Sequence, residues 1–298
     1  MRISLSILFS LLTAFPLFGA GPVMLETPEL VVVYDEGIEP AVRQVRRDFP
    51  FIRQELEALF QWPLNFRPTV VLVKNQEKFR QLAGHELVVA YALPGKDAVV
   101  IDYSKMNTSP FTLQTIFKHE LCHLLLHHQI KGNNLPRWLD EGICQWASDG
   151  LADILIDTTR AVLPAALLSK SDFDLAKLAH DFPQDKNGLI LAYEQSKSVV
   201  KFMSRKYGAQ GVRDLLGMLQ QGADLESAFE NCFSISFETF VEQWRDDFKT
   251  NLNWFSYLTA HLYEVLFVSA ALLTIFAFIR RLLKKKAYEK DSEEGAEL

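Results

Sequence analysis

His119-Glu120-Leu121-Cys122-His123 sets two imidazoles four residues apart with a carboxylate beside the first. On a helix, four steps of about 100° return to within roughly 40° of the same face, so one metal ion can meet both rings. Glu120 lies one residue along and cannot ligate from that direction. It is left beside the metal-bound water, where hydrolysis needs a general base. A metal-free alternative for the same residues is a polar helix face, with Glu120 paired to Lys118 or another cation.

Further along, Leu135-Pro136-Arg137-Trp138-Leu139-Asp140-Glu141-Gly142 offers carboxylates on what reads as a second helix. Catalytic zinc takes three protein ligands and keeps one position open. The two stretches together resemble the gluzincin pattern shared by thermolysin-like and aminopeptidase N-like enzymes. That resemblance implies His119, His123 and Glu141 as zinc ligands and Glu120 as the residue that activates water, with Asp140 the neighbouring alternative ligand. The metzincin pattern is not met, because Leu126 and Gln129 stand where its Gly and third His would be. His127 and His128 are expected at the surface.

A wider resemblance, over roughly residues 65 to 250, is to bacterial peptidase MA-like domains. Its later helices are similar to Ala192-Tyr193-Glu194-Gln195-Ser196 through Tyr207-Gly208, and to Phe237-Glu238-Thr239-Phe240-Val241-Glu242-Gln243-Trp244. By that similarity Tyr193 sits across the cleft and donates its phenol to the oxyanion of a tetrahedral intermediate. The implied activity is peptide-bond hydrolysis by a zinc metallopeptidase acting on a peptide or protein substrate. The alternative is a catalytically silent zincin-fold module that binds a partner or scaffolds a complex in the cell envelope.

These residues need elements to hold them. Apolar spacing at Leu113, Ile116, Leu121, Leu124 and Leu125 predicts a helix over Phe111 to Gln129, stopped by Lys131-Gly132-Asn133-Asn134. Pro136 suits the first turn of the next helix, which runs through Trp138 and Trp146 to a stop at Ser148-Asp149-Gly150. Upstream, β-branched runs at Leu30 to Tyr34 and Thr69 to Val73 flank a helix over Pro40 to Phe60, whose apolar stripe is Val42, Val45, Phe49, Ile52, Leu56 and Leu59. Glu86 to Ala92 and Ala98 to Tyr103, joined by Leu93-Pro94-Gly95-Lys96-Asp97, suggest a hairpin whose edge could align an extended substrate beside the cleft. Downstream, Leu189 to Lys206, Gln210 to Gln220, Asp224 to Phe229 and Ser236 to Thr250 show helical spacing, with glycines at the breaks. The expected fold is α+β, a zincin-like two-lobed domain with a small mixed sheet, an active-site helix and a helical C-terminal lobe.

Composition is that of a folded chain: 298 residues, 49% hydrophobic and 23% charged. A net charge of -6 without any basic stripe argues against nucleic acid as a partner. Three cysteines, Cys122, Cys144 and Cys232, are too few for a disulfide framework and leave at least one unpaired. Cys122 and Cys144 could meet near the metal as core thiols, a disulfide or a ligand.

The ends suggest location. Arg2, the apolar stretch Ile3 to Phe18 and Gly19-Ala20-Gly21 read as a signal peptide over residues 1–21. Leu262 to Ile279 is apolar apart from Glu264, with aromatic residues before it and Arg280, Arg281, Lys284, Lys285 and Lys286 after it. This predicts a single transmembrane helix over 258–280, an extracytoplasmic peptidase domain over 22–253 and a cytoplasmic tail over 281–298. The resemblance to bacterial domains adds the periplasmic side of an inner membrane.

Overall fold

The computed structural model describes residues 22–84, 88–106, 112–132, 134–148, 162–169, 171–260 and 262–294. The expected signal peptide lies outside these residues, as do Asp149 and Gly150 of the expected helix stop. The chain divides into two compact units, Met1–Trp244 and Arg245–Leu298.

The first unit is built on a mixed five-stranded sheet: β1 (Val23–Glu26), β2 (Val31–Tyr34), β3 (Thr69–Val73), β4 (Ala90–Leu93) and β5 (Ala98–Asp102), in the order β1-β2-β3-β5-β4. The three inner strands are parallel, and β1 and β4 close the edges antiparallel. β5 is buried along its whole length, as an inner parallel strand covered on both faces must be, and its sequence is correspondingly an unbroken apolar run up to Asp102. β4 and β5 form the expected hairpin: β5 begins at Ala98 as the spacing predicts and ends one residue earlier, at Asp102, while β4 is confined to Ala90–Leu93, and the expected start at Glu86 lies outside the described residues. A single turn of 3-10 helix, Pro94–Lys96, joins them, with Asp97 left-handed at φ 49°. Of the two strands considered for aligning substrate, Ala98–Asp102 is enclosed between β3 and β4. The free edge is β4.

Helix α1 (Glu39–Phe60) links β2 to β3 and buries Val42, Val45, Phe49, Ile52, Leu56 and Phe60. The stripe ends on Phe60 rather than Leu59, since the last turn faces the core with its aromatic ring. A short helix α2 (Gln76–Ala83), capped by Asn75, follows β3. Neither it nor β1 is foreseen in the sequence, because four to eight residues carry too little periodicity to be seen.

Helix α3 (Leu113–Gln129) starts at Thr112, whose hydroxyl accepts from the Thr115 amide. It is buried from His119 through Leu126 without interruption, packed on β4 and β5 on one side and on α1 and the next helix on others. That helix, α4 (Arg137–Ala147), is entered through Pro136, which sits just before the first turn rather than inside it. Helices α5 (Val162–Ser169), α6 (Leu175–Leu178), α7 (Lys186–Gln220) and α8 (Leu225–Phe233) complete the helical side, and α9 (Phe237–Ala260) runs across the boundary between the units. The break expected between two helices falls inside α7 at Gly208, φ 71° and ψ 176°, a conformation that glycine adopts without penalty. The sheet side and the helical side of the expected two-lobed domain lie in one unit, with α3 contacting the sheet and α4 alike.

Helix α10 (Leu262–Glu294) lies in the second unit and contains the expected span. Leu266, Phe267, Leu272, Leu273 and Phe276 on it are more than half exposed. Among the described residues no helix is long and apolar enough to cross a membrane. The expected transmembrane helix is therefore not supported. Glu264 confines the uncharged run to residues 265–279, which include Ser269 and Thr274 and rise only about 22 Å against a hydrocarbon core of about 30 Å.

Candidate metal centre

Helix α3 presents His119 and His123 one turn apart, and α4 crosses it to bring Glu141 opposite them. Their facing atoms are close: His119 Nε2 to His123 Nε2 3.1 Å, His119 Nε2 to Glu141 Oε2 3.8 Å and His123 Nε2 to Glu141 Oε2 3.6 Å. A tetrahedral zinc with bonds of about 2.05 Å requires ligand atoms about 3.3 Å apart, so this triangle has the size such an ion needs. The chemistry of the set points the same way. Two imidazole nitrogens facing each other in a buried site need something to share.

Glycine explains why α4 can approach. A Cβ built on Gly142 would lie 2.5 Å from the Ser196 carbonyl oxygen and 2.7 Å from Val200 Cγ2 of α7. The residue after Glu141 is thus the contact point between α4 and α7, and any side chain there would push Glu141 off the cradle.

The carboxylate next to Glu141 does a different job from the one considered for it. Asp140 accepts from His123 Nδ1 at 2.8 Å and from His127 Nε2 at 2.9 Å. A carboxylate on Nδ1 fixes the tautomer of His123, turning the Nε2 lone pair toward the centre. Burial raises the pKa of an isolated Asp, yet the imidazoles of His123 and His127 hold Asp140 well below the usual range. Burial likewise disfavours charge on His123, and the Asp140 and Glu141 carboxylates more than offset it. For His119 the balance is reversed: burial, then the neighbouring His123, outweigh the opposing Asp140 charge and push it far down. The Cys144 carbonyl lies near the His119 ring, but no hydrogen bond of ordinary geometry closes on His119 Nδ1.

Glu120 is buried, and the Ala92 backbone on edge strand β4 lies close enough to favour its charged form. Its pKa is pushed up to about 8, mainly by burial, with the Glu141 and Asp140 charges adding to it and His123 and the Ala92 backbone opposing. Pairing with Lys118 does not occur; that ammonium sits 2.9 Å from Glu55 on α1.

Tyr193, on α7, lines the same cavity of about 300 Å³ together with His119, Glu120, His123 and Glu141. Its hydroxyl is 3.5 Å from Glu141 Oε1, and its ring stands edge-on to Phe182 at 5.4 Å. Burial, then Glu141, raises its pKa well above that of a free phenol, so it stays a donor. Of the two histidines expected at the surface, His127 is drawn into the site by Asp140, while His128 stacks on Phe66 at 4.0 Å and pairs with Asp97 of the hairpin turn.

Cys122 and Cys144 are buried free thiols close enough to hydrogen-bond each other. His123, Asp140 and Cys144 form a second group within one ion's reach. Burial, then Cys122 and the nearby carboxylates, pushes the Cys144 thiol well up, against the thiolate that ligation requires. The His119, His123 and Glu141 group is the better cradle.

Sequence reasoning did not single out Ala92, Gln145 or the role of Asp140. Only the last left a trace, as a carboxylate adjacent to an expected ligand.

A profile of the Peptidase MA superfamily matches residues 87–250. Among curated proteins, the Uncharacterized protein YhcO of Bacillus subtilis (strain 168) is 24% identical over 147 residues, which is 47% of this chain and 43% of that protein. Among solved structures, a mutant M1 zinc metallopeptidase from Deinococcus radiodurans aligns at 12% identity and TM-score 0.44, covering 74% of this chain and 50% of that one. Aminopeptidase A of Legionella pneumophila aligns at 12% identity and TM-score 0.44, covering 75% and 27%. The chain therefore spans half or less of each of these proteins.

Proposed function

The chain belongs to the Peptidase MA superfamily, and from that premise we propose that it is a membrane-associated zinc metallopeptidase that hydrolyses peptide bonds in a peptide or protein substrate. The observation that carries this reading is the triangle of His119, His123 and Glu141, with Glu120 lining the same cavity. Bound there, zinc would polarise a carbonyl and make water a nucleophile at neutral pH.

The protein's own residues do the rest. Edge strand β4 can pair with an extended substrate and lay the scissile bond across the cavity. Glu120, its pKa pushed up to about 8 by burial, can take a proton from water and return it to the leaving amine once a divalent cation alongside draws that pKa back down, toward the ionised base. Tyr193 offers a neutral O–H on the opposite wall for the developing oxyanion.

Membrane association rests on α10. Its exposed apolar side chains are followed by Arg280 and Arg281, and an apolar run this short can be extended by residues that snorkel at its ends. A silent binding module would not need Glu120, and the full set of groups favours the enzyme over it.

The test is elemental analysis of the full chain purified in detergent, beside casein cleavage. Near one zinc per chain, lost in His123→Ala and Glu141→Ala, with cleavage abolished but zinc retained in Glu120→Gln, supports the peptidase. Correctly folded parent protein that takes up no zinc removes it. Carbonate washing of membranes tests α10, because a chain released into the wash is not anchored by it.

A further inference from the structure

The cavity is lined by three acidic groups, Glu120, Asp140 and Glu141, and among its described lining residues Arg137 is the only lysine or arginine. Arg137 stands in the first turn of α4, one turn before Glu141. Its guanidinium carbon lies 4.8 Å above the Phe182 ring, and Phe182 in turn packs edge-on against Tyr193. The charge reaches the cavity wall, lowering the pKa of the Tyr193 phenol against the larger effect of burial. Among the described residues no carboxylate comes within ion-pair distance of it. A planar, permanently charged fork, fixed on an aromatic face beside the candidate metal centre and without a counter-ion among the described residues, is built to receive a carboxylate.

We propose that Arg137 is a specificity-determining residue that anchors a carboxylate of the substrate, either a C-terminal carboxylate or an acidic side chain, about two residues from the scissile bond. This rests on the reading above that the cavity holds a peptide. The distance follows from the helix: four residues advance about 6 Å along α4, and an extended peptide covers that in about two residues at about 3.3 Å each. The same face of α4, one turn beyond Glu141, carries Gln145, whose Oε1 is buried at 1% exposure of the residue and has no hydrogen-bond partner among the described residues. A cation and an unmet acceptor thus flank Glu141 along one line, and a peptide lying there supplies the carboxylate to the first.

The experiment uses the full chain in detergent, zinc-loaded and carrying Glu120→Gln so that binding is read without turnover. Calorimetry compares acetyl-tetra-alanine as free acid and as amide, and acetyl-Ala-Ala-Glu-Ala amide with its glutamine counterpart. The carboxylate partners should bind roughly tenfold to hundredfold more tightly, the range of a charge-assisted hydrogen bond. Arg137→Met should collapse that ratio, and Arg137→Lys, which keeps the charge, should retain part of it at unchanged zinc content. A preference confined to the free acid identifies a C-terminal carboxylate; one confined to the glutamate peptide identifies a side chain. No preference in the parent, or a preference that survives Arg137→Met, overturns the proposal. Casein cleavage by the active protein is scored separately: a charge preference without cleavage leaves the anchor standing and removes the peptidase, and cleavage without preference does the reverse.

Discussion

Replacing Asp140 with asparagine separates a residue that orients a ligand from one that is a ligand. Asp140 is a partly buried carboxylate, 14% exposed, accepting one hydrogen bond from each of His123 and His127 at 2.8 and 2.9 Å. Asparagine keeps an oxygen for His123 Nδ1 and loses the charge, and a charge-assisted bond is roughly twice as strong as a neutral one. Removing a group that supports a metal-ligating histidine costs about 10- to 100-fold in metal affinity. With part of the bond retained, Asp140→Asn should sit near the lower end, about tenfold or about 1.4 kcal/mol. Competition between the full chain and a chromophoric zinc chelator at neutral pH measures it, with Cys144→Ser as a control expected to bind zinc normally. Unchanged affinity would show that the hydrogen bond does not hold His123. A loss as large as that of His123→Ala would make Asp140 itself a ligand, and a loss in Cys144→Ser would move the ion to the second group.

Tyr193→Phe should lower kcat by about 10²- to 10³-fold, the usual cost of one oxyanion donor, with zinc content unchanged; unaltered turnover would reduce Tyr193 to packing against Phe182. Ala92→Pro deletes the amide that lowers the Glu120 pKa. The sign follows: without it the pKa rises, the base stays protonated to higher pH, and the acid limb of kcat/KM should move up. An edge strand tolerates proline where the N–H faces away from its neighbour, and an unmoved limb would mean that the amide does not tune Glu120. Gly142→Ala forces a methyl against the Ser196 carbonyl. Overpacking of this kind costs about 1–3 kcal/mol, so thermal unfolding of the full chain should fall by roughly 3–10 °C, and an equal Tm would show that α4 and α7 have room to part.

Helices α1, α3 and α4 and strands β2, β3 and β5 are legible in the sequence because each is long or apolar enough to show its period. β1 and α2 are not, being too short, and nothing in the pattern of a buried helix says how many neighbours it has. At the site, His119, Glu120 and His123 follow from local geometry alone: an i, i+4 spacing puts two side chains together on any helix. Choosing Glu141 over Asp140 needed the family pattern, since the two are adjacent and only the rotation of α4 on α3, fixed by the Gly142 contact with α7, decides which carboxylate faces the histidines. The same holds for Ala92 and Arg137. An alanine amide on a sheet edge and an arginine in a first turn carry no mark of chemistry in sequence. They acquire it when packing brings them, from distant parts of the chain, to the wall of one cavity. The sequence by itself determined which atoms could bind a metal on one helix; the tertiary structure decided what surrounds them, because burial, charge and hydrogen bonding between elements depend on distances that residue spacing does not encode.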